Sequence, residues 1–578
     1  MKLNKVTIQN FRSIKNCTVS LKEVTAIIGE NNAGKTALLR ALNSLFNWDI
    51  EAQYFGDNTH QYAVRANTKI EVTFEEIPNR PYYEDKIEND SLTLILKYSY
   101  GNKTRKKSLS YKVRGQEFLI DDSFITLLKN DIDYVYIPAS RSNNDLKWTN
   151  NSIFARVLTA YSKQHSERRD NISRQVEKVA NVLKKNVFSK LENEIGKASL
   201  LDSGETYNLQ YYEDIDYTLF LDKVGLSIEE NGRTFPVTEY GSGIKSLSVI
   251  ALFRVLAQLE DVSVILGIEE PETNLHPHAQ KKFIASIINE RQNTEVQAIL
   301  ATHSTVIVDE LQHEDIILAR RVIGKKRGYY TTYTQLEHNF WDVNKLDEYK
   351  HNNFFRYKNS EFFFARYVVI VESTTDAQVI KHLVESEIGD RKYYISILNL
   401  DGIKNLKYPY FLLKSLGIPF SMVVDHDFVS PYINNKLEDS REEITYLPKY
   451  KSVINYRNPV LNDLWVSDYE RSELEDCANK SYTELFKVLS RKKLYIMQYC
   501  LEMDLVAGKA ARARYCEEMG VTDNSNAYKE LLHDKKDAIK APDKIMRVVT
   551  GLAPSQYPYS FKKIMTALIA DITNALLV

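Results

Sequence analysis

Residues 29–36, Gly29 Glu30 Asn31 Asn32 Ala33 Gly34 Lys35 Thr36, match G-x-x-x-x-G-K-[ST], between an unbroken apolar run, Val24 to Ile28, and a helix-forming run, Ala37 to Leu42. Strand, glycine-rich turn and helix in that order make a phosphate-binding loop, which commits this part of the chain to an α/β fold. Its glycines let backbone N–H groups close around phosphate oxygens, Lys35 reaches the β and γ phosphates, and Thr36 holds Mg²⁺. Asn31, Asn32, Gly34, Lys35, Thr36 and Ala37 are therefore candidate nucleotide-binding residues.

Hydrolysis needs partners on neighbouring strand tips. Val262 to Ile268 is an apolar strand ending in Glu269 and Glu270; the first suits the magnesium shell and Glu270 suits polarising the attacking water. His303, 33 residues after Glu270, ends another strand, Ala298 to Ala301, where it is placed to meet a γ-phosphate. Tyr240 Gly241 Ser242 Gly243 opens a helix, and the exposed N–H groups there suit phosphate contact through Ser242 and Gly243. Asn10 Phe11 Arg12 Ser13, the P-loop, Gly241 Ser242 Gly243, Glu269 Glu270 Pro271 Glu272 and Thr302 His303 Ser304 together resemble the ABC-type ATPase head of SMC-like proteins. That resemblance implies ATP as the nucleotide and a head that pairs with a second copy. It makes His303 the switch histidine and Asn274 Leu275 His276 Pro277 the D-loop region. The signature L-S-G-G is here Tyr240 Gly241 Ser242 Gly243, and no Q-loop glutamine is placed.

A second acidic constellation follows. Strand Tyr367 to Val371, helix Thr375 to Ser386, strand Tyr394 to Leu398, helix Lys404 to Leu416 and strand Ser421 to Val424 alternate as in a parallel sheet. Parallel strands share one carboxyl edge, where Glu372, Asp425 and Asp427 would converge as a hard oxygen site for Mg²⁺ or Mn²⁺. Such a site suits metal-assisted phosphodiester chemistry. Glu372 with Asp376, Gly402, and the Asp425 to Asp427 pair resemble a Toprim domain, with Ser373 where a glycine is usual. Cys500 Leu501 Glu502 Met503 Asp504 Leu505 is similar to the T-L-E-x-D-L segment that follows that core in one family. An SMC-like head joined to a Toprim domain resembles the OLD (overcoming lysogenization defect) nucleases, including Gabija-type and retron-associated antiviral members. The resemblance implies Glu372, Asp376, Asp425 and Asp427 as metal ligands and Glu502 at a second metal. It also implies a basic residue near the end of the chain, for which Lys540 and Lys544 are candidates, with Lys540 taken as catalytic.

The expected fold is α/β: an ABC-type P-loop domain over 1–340 with a helical insertion at about 150–205, a junction at 341–365, a Toprim parallel sheet over 366–510 and a helical region over 511–578. The insertion, Ile153 to Leu200, carries Val176, Val179, Ala180, Val182 and Leu183 on one helical face, which predicts burial against a second copy, or within its own chain. With 76 basic and 77 acidic side chains the charge balance excludes a uniformly basic nucleic-acid coat. Cys17, Cys477, Cys500 and Cys516 form no C-x-x-C pair, which points to a reducing cytoplasm, and no apolar run is long enough to span a membrane.

These readings predict a metal-dependent DNA endonuclease, cytoplasmic and homo-oligomeric, controlled by ATP and acting in antiviral defence. The family adds a helicase or reverse-transcriptase partner. The alternative is an ATP-driven DNA-binding or sensing protein whose Toprim half does not cut. Clustered acids favour cutting, since a pure binding module gains nothing from carboxylates that repel phosphate unless metal neutralises them. A structural SMC-like tether would need longer heptad arms than this insertion supplies. A topoisomerase would need one positioned tyrosine among 37.

Overall fold

The computed structural model describes residues 1–55, 62–63, 66–101, 104–139, 152–164, 166–198, 209, 224–260, 262–289, 296–324, 328–356, 358 and 360–577. The chain divides into two compact units. The first is Met1–Leu311 with Ala319–Arg321 and Arg327–Tyr333; the second is Gln312–Leu318 and Val322–Lys326 with Thr334–Val578. The chain first passes between units at Leu311 and Gln312, and the strands Ile316–Gly324 and Gly328–Thr334 contribute residues to both.

A 13-stranded mixed sheet organises the first unit. Its antiparallel arm begins at the N-terminus, where Lys2–Phe11 alternates buried and exposed side chains and pairs with Ile14–Ser20 on one side and Thr68–Glu75 on the other. Ser91–Gly101, Thr104–Val113 and Gln116–Ile120 extend it outward. The parallel part is Val24–Ile28, Val296–Thr302, Ser263–Glu269 and Ile132–Ile137, in that order. These strands are apolar almost throughout because helices cover both faces of a parallel sheet. Register sets the site: Ile28 lies opposite Thr302, and Glu269 opposite Ala301, so the P-loop, His303 and the paired glutamates leave the sheet at one edge.

The insertion is helical at Ile153–Gln164, Ser166–Leu183 and Ser189–Ala198. Its first helix buries Ile153, Phe154, Ala155 and Val157 and packs against Ser242–Glu260. Among the described residues the expected stripe is mostly not buried. Of its residues only Ala180 is buried, while Val179, Val182 and Leu183 are exposed, as are Val187 and Leu191 beyond them. Residues 199–208, at the end of the insertion, and the expected start of the next α/β region near Tyr217 lie outside the described residues.

In the second unit, strands Ile395–Asn399, Tyr367–Val371, Phe420–Val424 and Leu494–Ile496 form a fully parallel four-stranded sheet. The last strand is not among the strands read from the sequence. Three residues are too few to show a period of two, and only pairing with Met422–Val424 defines them as a strand. Residues 341–365, read as a junction, lie within this unit and include helix Glu348–Phe355. This helix joins an aromatic cluster in which His313 Nδ1 and His351 Nε2 stand 2.9 Å apart, packed by Phe355 and Trp341. No helix among the described residues is long and apolar enough to cross a membrane.

Candidate functional site

The P-loop glycines are required by close backbone approach. Gly29, at φ 147°, would place a Cβ 2.1 Å from the Ala319 carbonyl oxygen; Gly34, at φ 98°, would place one 2.3 Å from Thr331 Oγ1. Asn31 and Asn32 are exposed on the loop, and Asn32 takes the left-handed conformation at φ 61°. Lys35, Thr36 and Ala37 begin the helix Lys35–Phe46, so its free N–H groups face the loop. Lys35 is buried, and its Nζ donates to the carbonyls of Gly29 at 3.0 Å and Glu30 at 2.9 Å and lies 3.4 Å from His303 Nδ1. Burial lowers the Lys35 pKa to about 8, against the opposing pull of Glu272, Glu270 and Glu30. Burial, followed by the Lys35 charge, also lowers the pKa of His303.

The paired glutamates occupy distinct environments. Glu269 accepts from the backbone N–H of Ala139 at 3.4 Å and lies against the Tyr136 phenol, to which Arg40 Nε donates at 3.3 Å. Glu270 is exposed at the strand tip with φ 40°, a conformation that costs a non-glycine residue roughly 1 kcal/mol. Its N–H donates to the Ala301 carbonyl at 2.8 Å, which fixes that turn.

Tyr240 and Gly243 have packing roles as well. Ser242 starts the helix, and Tyr240 packs edge-on to Phe235, which accounts for an aromatic side chain at that position. Gly243 is a packing residue as well as a candidate phosphate contact, since a Cβ there would lie 2.5 Å from the Asn274 carbonyl oxygen. Gly243→Ala is therefore expected to force the helix off the Asn274 turn and destabilise the unit by about 1–3 kcal/mol in denaturant unfolding. Unchanged stability would contradict that packing.

In the second unit Glu372, immediately after Tyr367–Val371, and Asp425, after Phe420–Val424, leave adjacent strands at the same edge. Ser373 caps helix Thr374–Ile388, and the Ser373 backbone N–H and Oγ both donate to Asp376 Oδ2, at 3.0 and 2.7 Å. Serine thus replaces the usual glycine by supplying a cap, and one Asp376 oxygen is committed to it. Glu502 is on helix Leu501–Ala507 and pairs with Lys540 at 3.5 Å. Lys544 instead pairs with Glu518 at 3.7 Å, so of the two lysines only Lys540 meets a residue of the acidic group. Asp504 is a brace, accepting the N–H groups of Gln498 and Tyr499 at 2.8 Å each; burial raises its pKa to about 7.

Five carboxylates, Glu372, Asp376, Asp425, Asp427 and Glu502, feel one another. Glu372 is pushed up to about 7 by burial, then by Asp427, Asp376 and Glu502. Asp425 is raised well above the carboxylate range by burial, then by Asp376, Glu372, Glu502 and Asp427. Burial also raises Asp427, opposed by a hydrogen bond from the Tyr432 hydroxyl. Tyr432 belongs to a stack the sequence did not disclose: it lies on Tyr450 at 5.2 Å, and Tyr450 lies on His426 at 4.0 Å. His426, between the two aspartates, is fixed by Nδ1 against the Gln498 carbonyl at 2.9 Å.

The donor set fits a hard divalent cation: every candidate ligand is a carboxylate oxygen, and Glu372 Oε2 is buried without a hydrogen-bond partner among the described residues. Among those residues no three acidic, His or Cys side chains already enclose an ion-sized position.

Together the two sites define a two-domain protein, a P-loop ATPase domain followed by a Toprim domain. Residues 24–309 match the family "AAA domain, putative AbiEii toxin, Type IV TA system", and residues 363–427 match "Overcoming lysogenization defect protein-like, TOPRIM domain". The chain is 24% identical over 464 residues to "OLD nuclease" of Thermus scotoductus (strain ATCC 700910 / SA-01), covering 76% of this chain and 85% of that one. It is 23% identical over 484 residues to "Endonuclease GajA" of Bacillus cereus (strain HuB5-5), covering 70% of each. It is 23% identical over 492 residues to "Old nuclease" of Escherichia phage P2, covering 76% and 79%. A solved SMC head bound to the C-winged helix domain of ScpA aligns over 58% of this chain and 98% of its own, at 15% identity and a TM-score of 0.38. ATPase and Toprim domains use nucleotide and divalent metal.

Proposed function

We propose that this protein is a metal-dependent DNA endonuclease controlled by ATP binding or hydrolysis in its first unit and acting in antiviral defence. The observation that carries the reading is the set Glu372, Asp425, Asp427 and Glu502, whose first two members leave adjacent parallel strands at one edge and whose charges oppose one another's ionisation. A binding surface for phosphate gains nothing from such repulsion, whereas a cation site needs it. The names of the relatives, nuclease and endonuclease, support the same activity, and the defence role follows from the family resemblance.

Glu372, Asp425, Asp427 and Glu502, together with Asp376, would hold Mg²⁺ or Mn²⁺, which would supply water activation and neutralisation of the phosphate leaving oxygen. The chain's own contribution is placement. Asp376 and Ser373 fix the helix start beside Glu372, the Tyr432–Tyr450–His426 stack holds the turn carrying Asp425 and Asp427, and Lys540 places a cation on Glu502. In the first unit Lys35 exchanges the carbonyls of Gly29 and Glu30 for phosphate oxygens, and Glu270 orients water. The exposed stripe of Val179, Val182 and Leu183 supports a homodimer in which a second copy covers it.

Incubation of supercoiled DNA with the protein in Mg²⁺ or Mn²⁺, against the same mixture in EDTA, tests the reading: cleavage is expected only with metal, and binding without cleavage would favour the sensing alternative. A second test does not need activity. Glu372 has a folded-state pKa raised from 4.5 to about 7, so its protonated form favours the folded protein, and that stability is lost as pH rises through the raised value. Asp425 acts with the same sign. Metal-free melting temperature is therefore expected to fall between about pH 5 and pH 8, and Mn²⁺ to raise it more at pH 8 than at pH 6. Equal metal stabilisation at both pH values would contradict binding at these carboxylates.

A further inference from the structure

Glu272 follows the paired glutamates by two residues, and both of its carboxylate oxygens are engaged on the neighbouring strand tip. Oε2 accepts from Thr302 Oγ1 at 2.7 Å, and Oε1 accepts from the backbone N–H of His303 at 2.7 Å. Thr302 Oγ1 in turn accepts the Ser304 N–H at 3.0 Å; Ser304 Oγ donates to Gln280 Oε1 at 2.5 Å, and Gln280 Nε2 donates to the Leu275 carbonyl at 2.8 Å. The switch segment is thus closed on the residues that follow the Glu269 strand. Charge-assisted bonds to two donors give this contact direction as well as strength.

The other end of Glu272 is tied to the signature helix. Leu275 N–H donates to the Glu272 carbonyl at 2.9 Å, and between them lies Asn274, the residue whose carbonyl Gly243 abuts. One residue therefore joins His303, 3.4 Å from Lys35 Nζ, to the turn beneath the start of helix Ser242–Glu260. Without the carboxylate, the His303 amide and the Thr302 hydroxyl lose their shared acceptor, and the imidazole is left with its 3.4 Å approach to Lys35 Nζ.

We propose that Glu272 is a positioning residue for ATP hydrolysis, holding His303 against the P-loop and linking it to the turn under the signature helix. The inference rests on the ATPase reading of the first unit. It requires Glu272 to act through His303, and that is measurable as non-additivity.

The experiment measures kcat and KM for ATP, and equilibrium binding of a fluorescent ATP analogue, on full-length protein carrying Glu272→Ala, Glu272→Gln, His303→Ala or both alanines. Glu272→Ala is expected to lower kcat by about tenfold to a hundredfold with analogue Kd within about threefold of wild type. Glu272→Gln, which keeps one acceptor, is expected to fall between. The double variant is expected to lie within about twofold of His303→Ala. Turnover of Glu272→Ala within twofold of wild type, or a double variant showing the product of the two single losses, would overturn the proposal. Should Glu272→Ala not fold, Glu272→Gln and Thr302→Val carry the same cycle against His303→Ala, with additive losses again the contrary result. A wild type with no ATP turnover, or turnover that survives Lys35→Ala, would overturn the ATPase reading and this inference with it; turnover abolished by Lys35→Ala but untouched by Glu272→Ala overturns the inference alone.

Discussion

Asp425→Asn is expected to lower DNA cleavage by on the order of a thousandfold while the protein remains folded. Asp425 follows the central strand Phe420–Val424, and its carboxylate lies within the fields of Glu372, Asp376, Glu502 and Asp427. Asparagine keeps the shape and removes the charge, so the electrostatic strain at this edge falls. Metal-free melting temperature should therefore stay constant or rise. Loss of cleavage with a stable fold separates a ligand from a core residue. Glu372→Gln should behave in the same way, and full cleavage by both variants would contradict the nuclease assignment.

Glu270→Gln carries the second large effect, a fall in ATP turnover of about a hundredfold with nucleotide binding retained. Its backbone conformation at φ 40° is open to glutamine at the same cost as to glutamate, and the Thr273 hydroxyl that meets Oε2 at 3.3 Å can meet an amide as well. Only the charge that polarises water is removed. Turnover equal to wild type would place that function elsewhere, and Glu269, beside Tyr136 and Ala139, would be the next residue to replace.

What the sequence disclosed follows the locality of each signal. The P-loop is contiguous, and its eight residues fix strand, turn and helix at once, as Val24–Ile28 and Lys35–Phe46 are found. The acidic edge was legible because parallel strands end together, so Glu372 and Asp425 needed only two strand boundaries to be brought side by side. Glu272 was part of a recognised motif, yet its bonds to Thr302 and His303 depend on the pairing of Glu269 with Ala301, a register no local pattern states. Tyr432 and Tyr450 lie in a loop without periodicity, joined to each other by an isolated bridge, and their stacking on His426 is a tertiary fact. Lys540 and Lys544 were equivalent by composition; only their partners, Glu502 and Glu518, distinguish them. Ser373 looked like a departure from a glycine turn, and proved to be a helix cap with Asp376.

The central claim is that nucleotide bound in the first unit controls metal-dependent cutting by the second, and a ligand can bias a coupled site only by favouring one arrangement over another. The most direct test is single-turnover DNA cleavage at fixed free Mg²⁺, titrated with ATP, for wild type and for Lys35→Ala. Wild type is expected to change its cleavage rate by at least about fivefold across the titration, the lower end of ordinary allosteric coupling, and Lys35→Ala to show a flat response. An identical ATP response in the two proteins, or wild-type cleavage indifferent to ATP, would contradict the claim.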